Sequence, residues 1–434
     1  MFAAHAKRLL SFEAQSLLYR VSELRPFALT LPMVPAASPS VAAQSAIEAH
    51  LSRSRRQLRE RLNGFLRWLH SPDGAMASPE IAQERFSALR LQFLSAIDVF
   101  DLFSDALSDR SQHGYGEWVG GLDVAATDAL TLPRFLSDPP PILCHLDRGP
   151  GAAIRRVRTR LPGGDSNPVA VIRVPRERMI GSGVASSLVH EVGHQGAELL
   201  DLLPPLEARL RQRAFHARAD RTAWLLFHQW ISEIVSDLWS VARVGITSTM
   251  GLMGVVSLPS TFVYRVQPDD PHPTPWIRVK ISAAIGHALY PDLQWADLAA
   301  VWDAFYPLSN AGASRPALSL VQAVIPEFIS LLLETRMPRL MGAPVGMLFP
   351  RADRTPAKLR LLRGLVQRDI RKLALLSPTV ALGVLGQAKF DGAIDARMEA
   401  STLSRLLRYW ALRATVDASM ARADRPRLPA VAAA

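Results

Sequence analysis

The chain has 434 residues, of which 49% are hydrophobic, and its formal net charge at pH 7 is +11. This length predicts two or three subdomains rather than one compact core, and the apolar content excludes a wholly disordered chain. No nucleic-acid motif accompanies the basic charge, so we expect no specific nucleic-acid function, although an acidic protein partner stays open as an alternative.

The compartment is indicated by what the sequence lacks. The N-terminal residues have neither the apolar middle nor the small-residue cleavage site of a secretion signal. Residues 244–264 come nearest to a membrane span, but glycines and Pro259 interrupt them, and we expect buried chain near the functional site there. Cys144 is the only cysteine, which excludes an internal disulfide. These features predict a cytoplasmic protein without an integral membrane segment.

The N-terminal part of the chain is predicted to be helical. In residues 1–45 we expect one helix over 9–24, followed by a linker rich in Pro, Ser and Ala over 31–40. Residues 46–130 are predicted to form a helical domain, since apolar residues recur there at three-to-four spacing. Its second helix is predicted to begin at Pro79, with Ser78 as N-cap, and to end near Leu107.

A small β-sheet is predicted before the next helices. Residues 142–146, 153–160 and 169–174 have the apolar and β-branched character of strands, and the last two surround a Gly-rich turn typical of a hairpin. A helix capped by Ser182 and a helical region over 206–243 are expected next. Residues 346–434 are predicted to form a C-terminal helical domain. The expected fold class is therefore mainly α with a small β-sheet (α+β).

The strongest chemical signal is the pentapeptide HEVGH at residues 190–194. Two histidines four apart on a helix lie on the same face, so His190 and His194 are predicted to ligate one tetrahedral zinc ion. Glu191 lies beside the first ligand, where its carboxylate could take a proton from a zinc-bound water and pass it to a leaving amine. The alternative is a buried helix face that carries two histidines at its surface edge and binds no metal.

A third ligand must come from elsewhere in the chain. Glu233 and Asp237 are four residues apart on a predicted helix, which suits a zinc ligand and an outer carboxylate that orients a ligating imidazole. A solvated helix edge is the alternative for this pair. Weaker rival ligands, left open by the sequence, are Glu198, His216 and His228.

At these residues the sequence resembles the gluzincins, the thermolysin-like zinc peptidases, whose second helix reads Glu-x-x-Ser-Asp or close to it. Residues 233–237 match this pattern, and the resemblance implies that Glu233 is the third zinc ligand and that Asp237 is the partner of His190. It covers roughly residues 182–238. The chain departs from thermolysin in having 38 residues between His194 and Glu233, which implies an inserted helix around 206–216.

A second resemblance, to the CAAX-protease class, rests on a His-Pro pair followed by four residues and an Arg. His272, Pro273 and Arg278 match that arrangement. The resemblance implies that His272 is catalytic and that Arg278, or less strongly Tyr264, contacts the substrate or its oxyanion. A rigid proline turn whose histidine caps a helix is the alternative.

Together these observations predict a zincin-like metallopeptidase domain over residues 131–345, flanked by helical domains and holding one zinc ion. The expected reaction is hydrolysis of a peptide bond in a restricted protein or peptide substrate. The alternatives are a catalytically silent scaffold braced by zinc, and an interaction protein that binds an acidic partner or nucleic acid.

Overall fold

The computed structural model describes residues 2–24, 33–112, 114–147, 152–162, 164–267 and 269–424. It is 74% helical and has one three-stranded sheet among these residues. The predicted fold class, mainly α with a small β-sheet, is confirmed. Contacts divide the chain into two compact units, the first comprising Met1–Gly116, Pro140–His145 and Arg155–Val171, the second the remainder.

The first unit contains a group of long helices. The long ones are α1 (Phe2–Glu23), α2 (Val41–Leu69) and α4 (Pro79–Ser108), and the short α3 (Pro72–Met76) lies between α2 and α4 in the chain. The helix predicted over 9–24 begins seven residues earlier. The oxygen of Ser78 accepts a hydrogen bond from the amide of Ile81 at 3.3 Å, as predicted for an N-cap. In the predicted linker, residues 31 and 32 lie outside the described residues, and Pro35–Ala37 forms a 3₁₀ turn.

The sheet contains β1 (Ile142–Asp147), β2 (Ala153–Arg155) and β3 (Ala170–Pro175), in the order β1-β3-β2. The predicted strands were therefore placed correctly, but β2 ends at Arg155 rather than at residue 160. Arg158 has a φ of 66°, a left-handed conformation that interrupts extended chain. The side chain of Asn167 donates to the carbonyl oxygens of Arg155 and Arg156 at 3.2 and 3.0 Å, which stabilises this turn.

The remaining helices lie almost wholly in the second unit. Those up to residue 289 are α5 (Gly116–Leu130), α6 (Gly183–Leu199), α7 (Leu203–His216), α8 (Arg221–Val244), α9 (Ile246–Val256), α10 (Ser260–Val263) and α11 (Pro275–Leu289). Those beyond residue 289 are α12 (Gln294–Phe305), α13 (Arg315–Glu334), α14 (Pro356–Leu362), α15 (Gly364–Arg368), α16 (Ile370–Leu375), α17 (Pro378–Phe390) and α18 (Ala396–Ala423).

Several sequence predictions concern this second unit. The helix inferred around 206–216 is present as α7. Contacts group residues 172–434 in one unit. This grouping does not test the predicted domain limits at 130 and 345, which stay predictions. Ser182 does precede α6, but its side chain makes no cap hydrogen bond within that helix, contrary to the prediction.

One helical segment of the described chain, Leu308–Glu334, is long and apolar enough to cross a membrane by length and composition. It is a different segment from residues 244–264. A kink at Gly312 interrupts the 3₁₀ start of this segment, Leu308–Ser314, before α13 begins at Arg315. In α13 the buried residues recur at three-to-four spacing, whereas Glu327 and Ser330 on the other face are exposed. This pattern is that of an amphipathic core helix.

Two glycines allow α6 to approach α8 closely. A Cβ on Gly193 would lie 2.8 Å from the Cα of Ser236, and one on Gly196 only 2.2 Å from a ring carbon of Trp239. The Trp239 ring is fully buried, and its Nε1 donates to the carbonyl oxygen of Ala129 at 2.9 Å, so the ring has little room to move. Only a glycine therefore fits at residue 196.

We accordingly expect Gly196→Ala to lower the free energy of unfolding by about 1–3 kcal/mol, the usual cost of an overpacked core. Gly254→Ala is the matched control, because Gly254 also lies in a helix but its Cβ would meet no atom within 4 Å. The control is expected to be neutral, or stabilising by up to about 1 kcal/mol, through its higher helix propensity. Urea denaturation of both variants measures this, and equal effects would contradict the packing argument.

Candidate metal centre

The helices α6 and α8 bring the three predicted ligands together. The Nε2 of His190 lies 3.3 Å from the Oε2 of Glu233, and the Nε2 of His194 lies 3.2 Å from its Oε1. The two imidazole rings meet edge to face, with centroids 4.9 Å apart. One ligand atom from each residue falls within 4.8 Å of the others, so the group could hold a metal ion.

The donor set, and the two spacings between imidazole and carboxylate, are compatible with zinc. Bonds of roughly 2.0–2.1 Å to a tetrahedral zinc ion place its nitrogen and oxygen ligands about 3.3 Å apart. The two imidazole-to-carboxylate distances, 3.3 and 3.2 Å, agree with that spacing. Two histidines and one carboxylate also form a donor set that catalytic zinc sites use, in which a fourth position is left for water or substrate.

Asp237 orients the first of these imidazoles. Its Oδ1 lies 2.8 Å from the Nδ1 of His190 and accepts a hydrogen bond from that nitrogen. This leaves Nε2, on the side of Glu233, as the nitrogen that would ligate a metal ion. The second imidazole has a weaker partner, since the Oγ of Ser232 lies 3.5 Å from the Nδ1 of His194. Asp237 is therefore in contact with His190, as the sequence resemblance implied, and its role behind a metal ligand stays a prediction.

Arg278, on α11, links the two carboxylates of α8. Its Nε and Nη2 donate to the two oxygens of Asp237 at 2.7 and 2.9 Å, and Nη2 also donates to the Oε2 of Glu233 at 3.2 Å. The guanidinium also lies 3.5 Å from the His190 ring nitrogens. Its donors are thus engaged by carboxylates, and the oxyanion contact that the sequence resemblance implied for Arg278 stays a prediction.

The charges in this cluster stabilise one another. Burial alone lowers the pKa of His190, but hydrogen bonds and charge from Asp237, together with Glu233, outweigh it and raise the pKa to about 9. Burial alone raises the pKa of Glu233, yet its hydrogen bonds to His190 and His194 bring it well below its usual range. Burial also raises the pKa of Asp237, but the charge of Arg278 and the hydrogen bond with His190 outweigh this effect and lower that pKa. Both carboxylates are therefore held ionised.

Glu191 is buried beside the cluster. Burial lowers the pKa of Arg278, but the charges of Asp237, Glu233 and Glu191 raise it above its ordinary value. Glu191 therefore lies within electrostatic reach of the ligand group. As the neighbour of His190 on α6, it is available to exchange protons with a molecule at the metal position.

His272 lies at the open edge of the cluster. Its Nδ1 lies 2.8 Å from the Oδ1 of Asp270, an acceptor that the sequence analysis did not single out, and its backbone amide donates to the same oxygen at 2.9 Å. Its Nε2 lies 3.7 Å from the Oε2 of Glu233. With 57% of its side chain exposed, His272 is near the ligands and accessible from solvent, as a residue that contacts substrate must be.

Tyr264 and the rival ligands are engaged elsewhere. The hydroxyl of Tyr264 donates to the carbonyl oxygen of Pro307 at 2.7 Å, so the structure does not bring it to the ligands as an oxyanion contact. The Nδ1 of His216 lies 2.8 Å from the carbonyl oxygen of Gln212, and the Nε2 of His228 lies 3.2 Å from Arg211. Glu198 is exposed. None of the three rivals joins the ligand group found among the described residues.

Asp270, Ser232 and the two close-packing glycines of α6 were not predicted from the sequence. The hydrogen bond from His272 to Asp270, two residues earlier, could have been anticipated, because Asp side chains commonly bond the chain two residues on. Comparison of the chain with protein-family models, with curated proteins and with solved structures finds no match.

Proposed function

We propose that the chain is a zinc-dependent metallopeptidase. The observation that carries this proposal is the ligand group itself, in which two imidazoles meet one carboxylate at 3.3 and 3.2 Å beside the buried Glu191. A site that only braced a fold would need no carboxylate next to its first ligand and would close its fourth position. The resemblance to the gluzincins, and that of His272 and Arg278 to the CAAX-protease class, belong to the same proposal.

His190, His194 and Glu233 would hold the ion, and Asp237 and Arg278 would keep the first imidazole and the carboxylate in position. When bound, zinc lowers the pKa of a water molecule toward about 7 and polarises a carbonyl group. Glu191 takes a proton from the attacking water and delivers it to the nitrogen of the leaving amine. His272, exposed at the edge, is placed to donate a hydrogen bond to the developing oxyanion.

The substrate we propose is a restricted protein or peptide rather than any unfolded chain. Support comes from the access to the ligands, whose side chains are only 14%, 16% and 10% exposed for His190, His194 and Glu233. The compartment we propose is the cytoplasm, because a single cysteine suits a reducing environment. Fractionation of cells that express the tagged chain tests that location, and recovery only with membranes or the medium would contradict it.

Metal analysis combined with a cleavage assay tests the function. Purified protein is expected to contain about one zinc per chain and to cleave members of a peptide library. Chelation should abolish cleavage and added zinc should restore it. If the purified protein does not bind zinc, the proposal is wrong. Zinc binding without cleavage of any library or proteome-derived peptide would favour the scaffold, and salt-sensitive binding of acidic partners without zinc would favour the interaction protein.

A further inference from the structure

The N-terminus of α6, the helix that carries HEVGH, is held by a carboxylate from the C-terminal helix α18. The Oε1 of Glu399 accepts hydrogen bonds from the backbone amide of Ser182 at 2.9 Å and from the Ser182 hydroxyl. Lys389, at the end of α17, donates to the same oxygen at 3.1 Å. Ser182 immediately precedes the first turn of α6.

This contact replaces the local cap that the sequence predicted. The first four amides of a helix have no partner within it, and a side chain near the N-terminus normally accepts from one or two of them. In a capping box, a glutamate three residues into the helix reaches back to the N-cap amide. Here Glu399 bonds to that amide although it lies 217 residues further along the chain. Its negative charge also interacts favourably with the helix dipole.

The contact is buried and tightly packed. Glu399 is 5% exposed and Ser182 is 2% exposed, so neither can exchange its partner for water without opening the structure. A Cβ on Gly181 would lie 3.4 Å from a carboxylate oxygen of Glu399, so the carboxylate also lies against the residue before Ser182. Losing such a contact strands a buried amide, whose desolvation is then uncompensated.

The position of this cap bears on the metal ligands. Ser182 precedes His190 by eight residues, or about 12 Å along a helix that rises 1.5 Å per residue. Beyond that point α6 packs against α8 through Gly193 and Gly196. The helix is thus held near its start by Glu399 and further along by α8, and His190 and Glu191 lie between the two contacts.

We propose that Glu399 is a positioning residue for the metal-binding helix, so that the C-terminal helix α18 is part of the catalytic apparatus. The carboxylate holds the first turn of α6 and thereby sets where His190, Glu191 and His194 stand relative to Glu233. The catalytic half of this statement rests on the proposed metallopeptidase function, whereas the structural half does not.

Hydrogen–deuterium exchange and cobalt titration of the full chain test both halves. In Glu399→Ala, amide exchange in residues 183–187 is expected to be about tenfold faster, an effect of the size seen for lost N-caps. Affinity for Co²⁺ should fall about threefold to tenfold, with a changed absorption spectrum of the bound ion, because coupling through packed elements is of that order. Glu399→Gln, which keeps one acceptor oxygen, should recover part of both effects, and Ser182→Ala, which keeps the backbone bond, should resemble it.

Leu406→Ala is the matched control, since Leu406 is buried on α18 about two turns beyond Glu399. It should lower overall stability without a selective rise in exchange over residues 183–187. Equal selective exchange in this control, or unchanged exchange in Glu399→Ala, would overturn the proposal. If wild type bound no cobalt or zinc, the metallopeptidase function would fail, and the exchange data would still decide whether Glu399 holds α6.

Discussion

Glu191→Gln is expected to leave the zinc content at the wild-type level while lowering the rate of peptide hydrolysis by about 10²- to 10⁴-fold, the usual contribution of a general base and acid. The amide has nearly the shape of the carboxylate but cannot take a proton from water. Glu191 does not belong to the ligand group, so its loss should not release the ion. Metal analysis and initial rates on the best library peptide measure the two effects separately.

Two further variants serve as controls for Glu191→Gln. Glu233→Ala removes a ligand and should lose both zinc and hydrolysis. Glu198→Gln changes an exposed carboxylate on the same helix and should change neither. Hydrolysis that survives Glu191→Gln would remove this residue from the mechanism. Loss of zinc in Glu191→Gln would instead make Glu191 a structural element of the site.

Arg278→Met is expected to destabilise the metal-free protein by about 3–5 kcal/mol, because it removes the guanidinium that donates to two buried carboxylates. The Arg278 side chain is 11% exposed and those of Glu233 and Asp237 are 10% and 8% exposed, so water offers little compensation. A bound zinc ion would supply positive charge to the same carboxylates. The loss should therefore be smaller in the presence of zinc than with a chelator. Urea denaturation under both conditions measures the difference.

Arg278→Lys separates charge from geometry. A lysine keeps the positive charge but not the planar fork that donates to both oxygens of Asp237, so an intermediate loss is expected. Equal destabilisation of Arg278→Met with and without zinc would mean that metal and guanidinium do not act on the same carboxylates. An undiminished stability in the chelated protein would show that the ion pairs contribute nothing there.

Local regularities in the sequence predicted the helices and strands well where periodicity was strong. The pattern of Ser78 and Pro79 located the start of α4, and apolar runs located β1 and β3. The prediction for β2 was too long because nothing in the residues themselves required Arg158 to adopt a left-handed conformation. That turn is stabilised by Asn167, whose two bonds to distant carbonyl oxygens form only once the chain has folded back.

Residue spacing alone specifies which residues share a helix face. A spacing of four places His190 with His194, and Glu233 with Asp237, whatever surrounds those helices. The cap of α6 shows the limit of such reasoning, because Ser182 has the right residue type and position, yet its hydroxyl bonds to Glu399.

Three further contacts became visible only in the folded chain: Glu233 meets both imidazoles, Arg278 binds two carboxylates, and Glu399 accepts from the start of α6. Each of these contacts joins residues 39 to 217 positions apart in the chain. Periodicity specifies the direction of a side chain within its own helix, but not which other helix lies opposite. That choice follows from packing, here from Gly193 and Gly196 admitting α8 at a distance that no larger residue would allow.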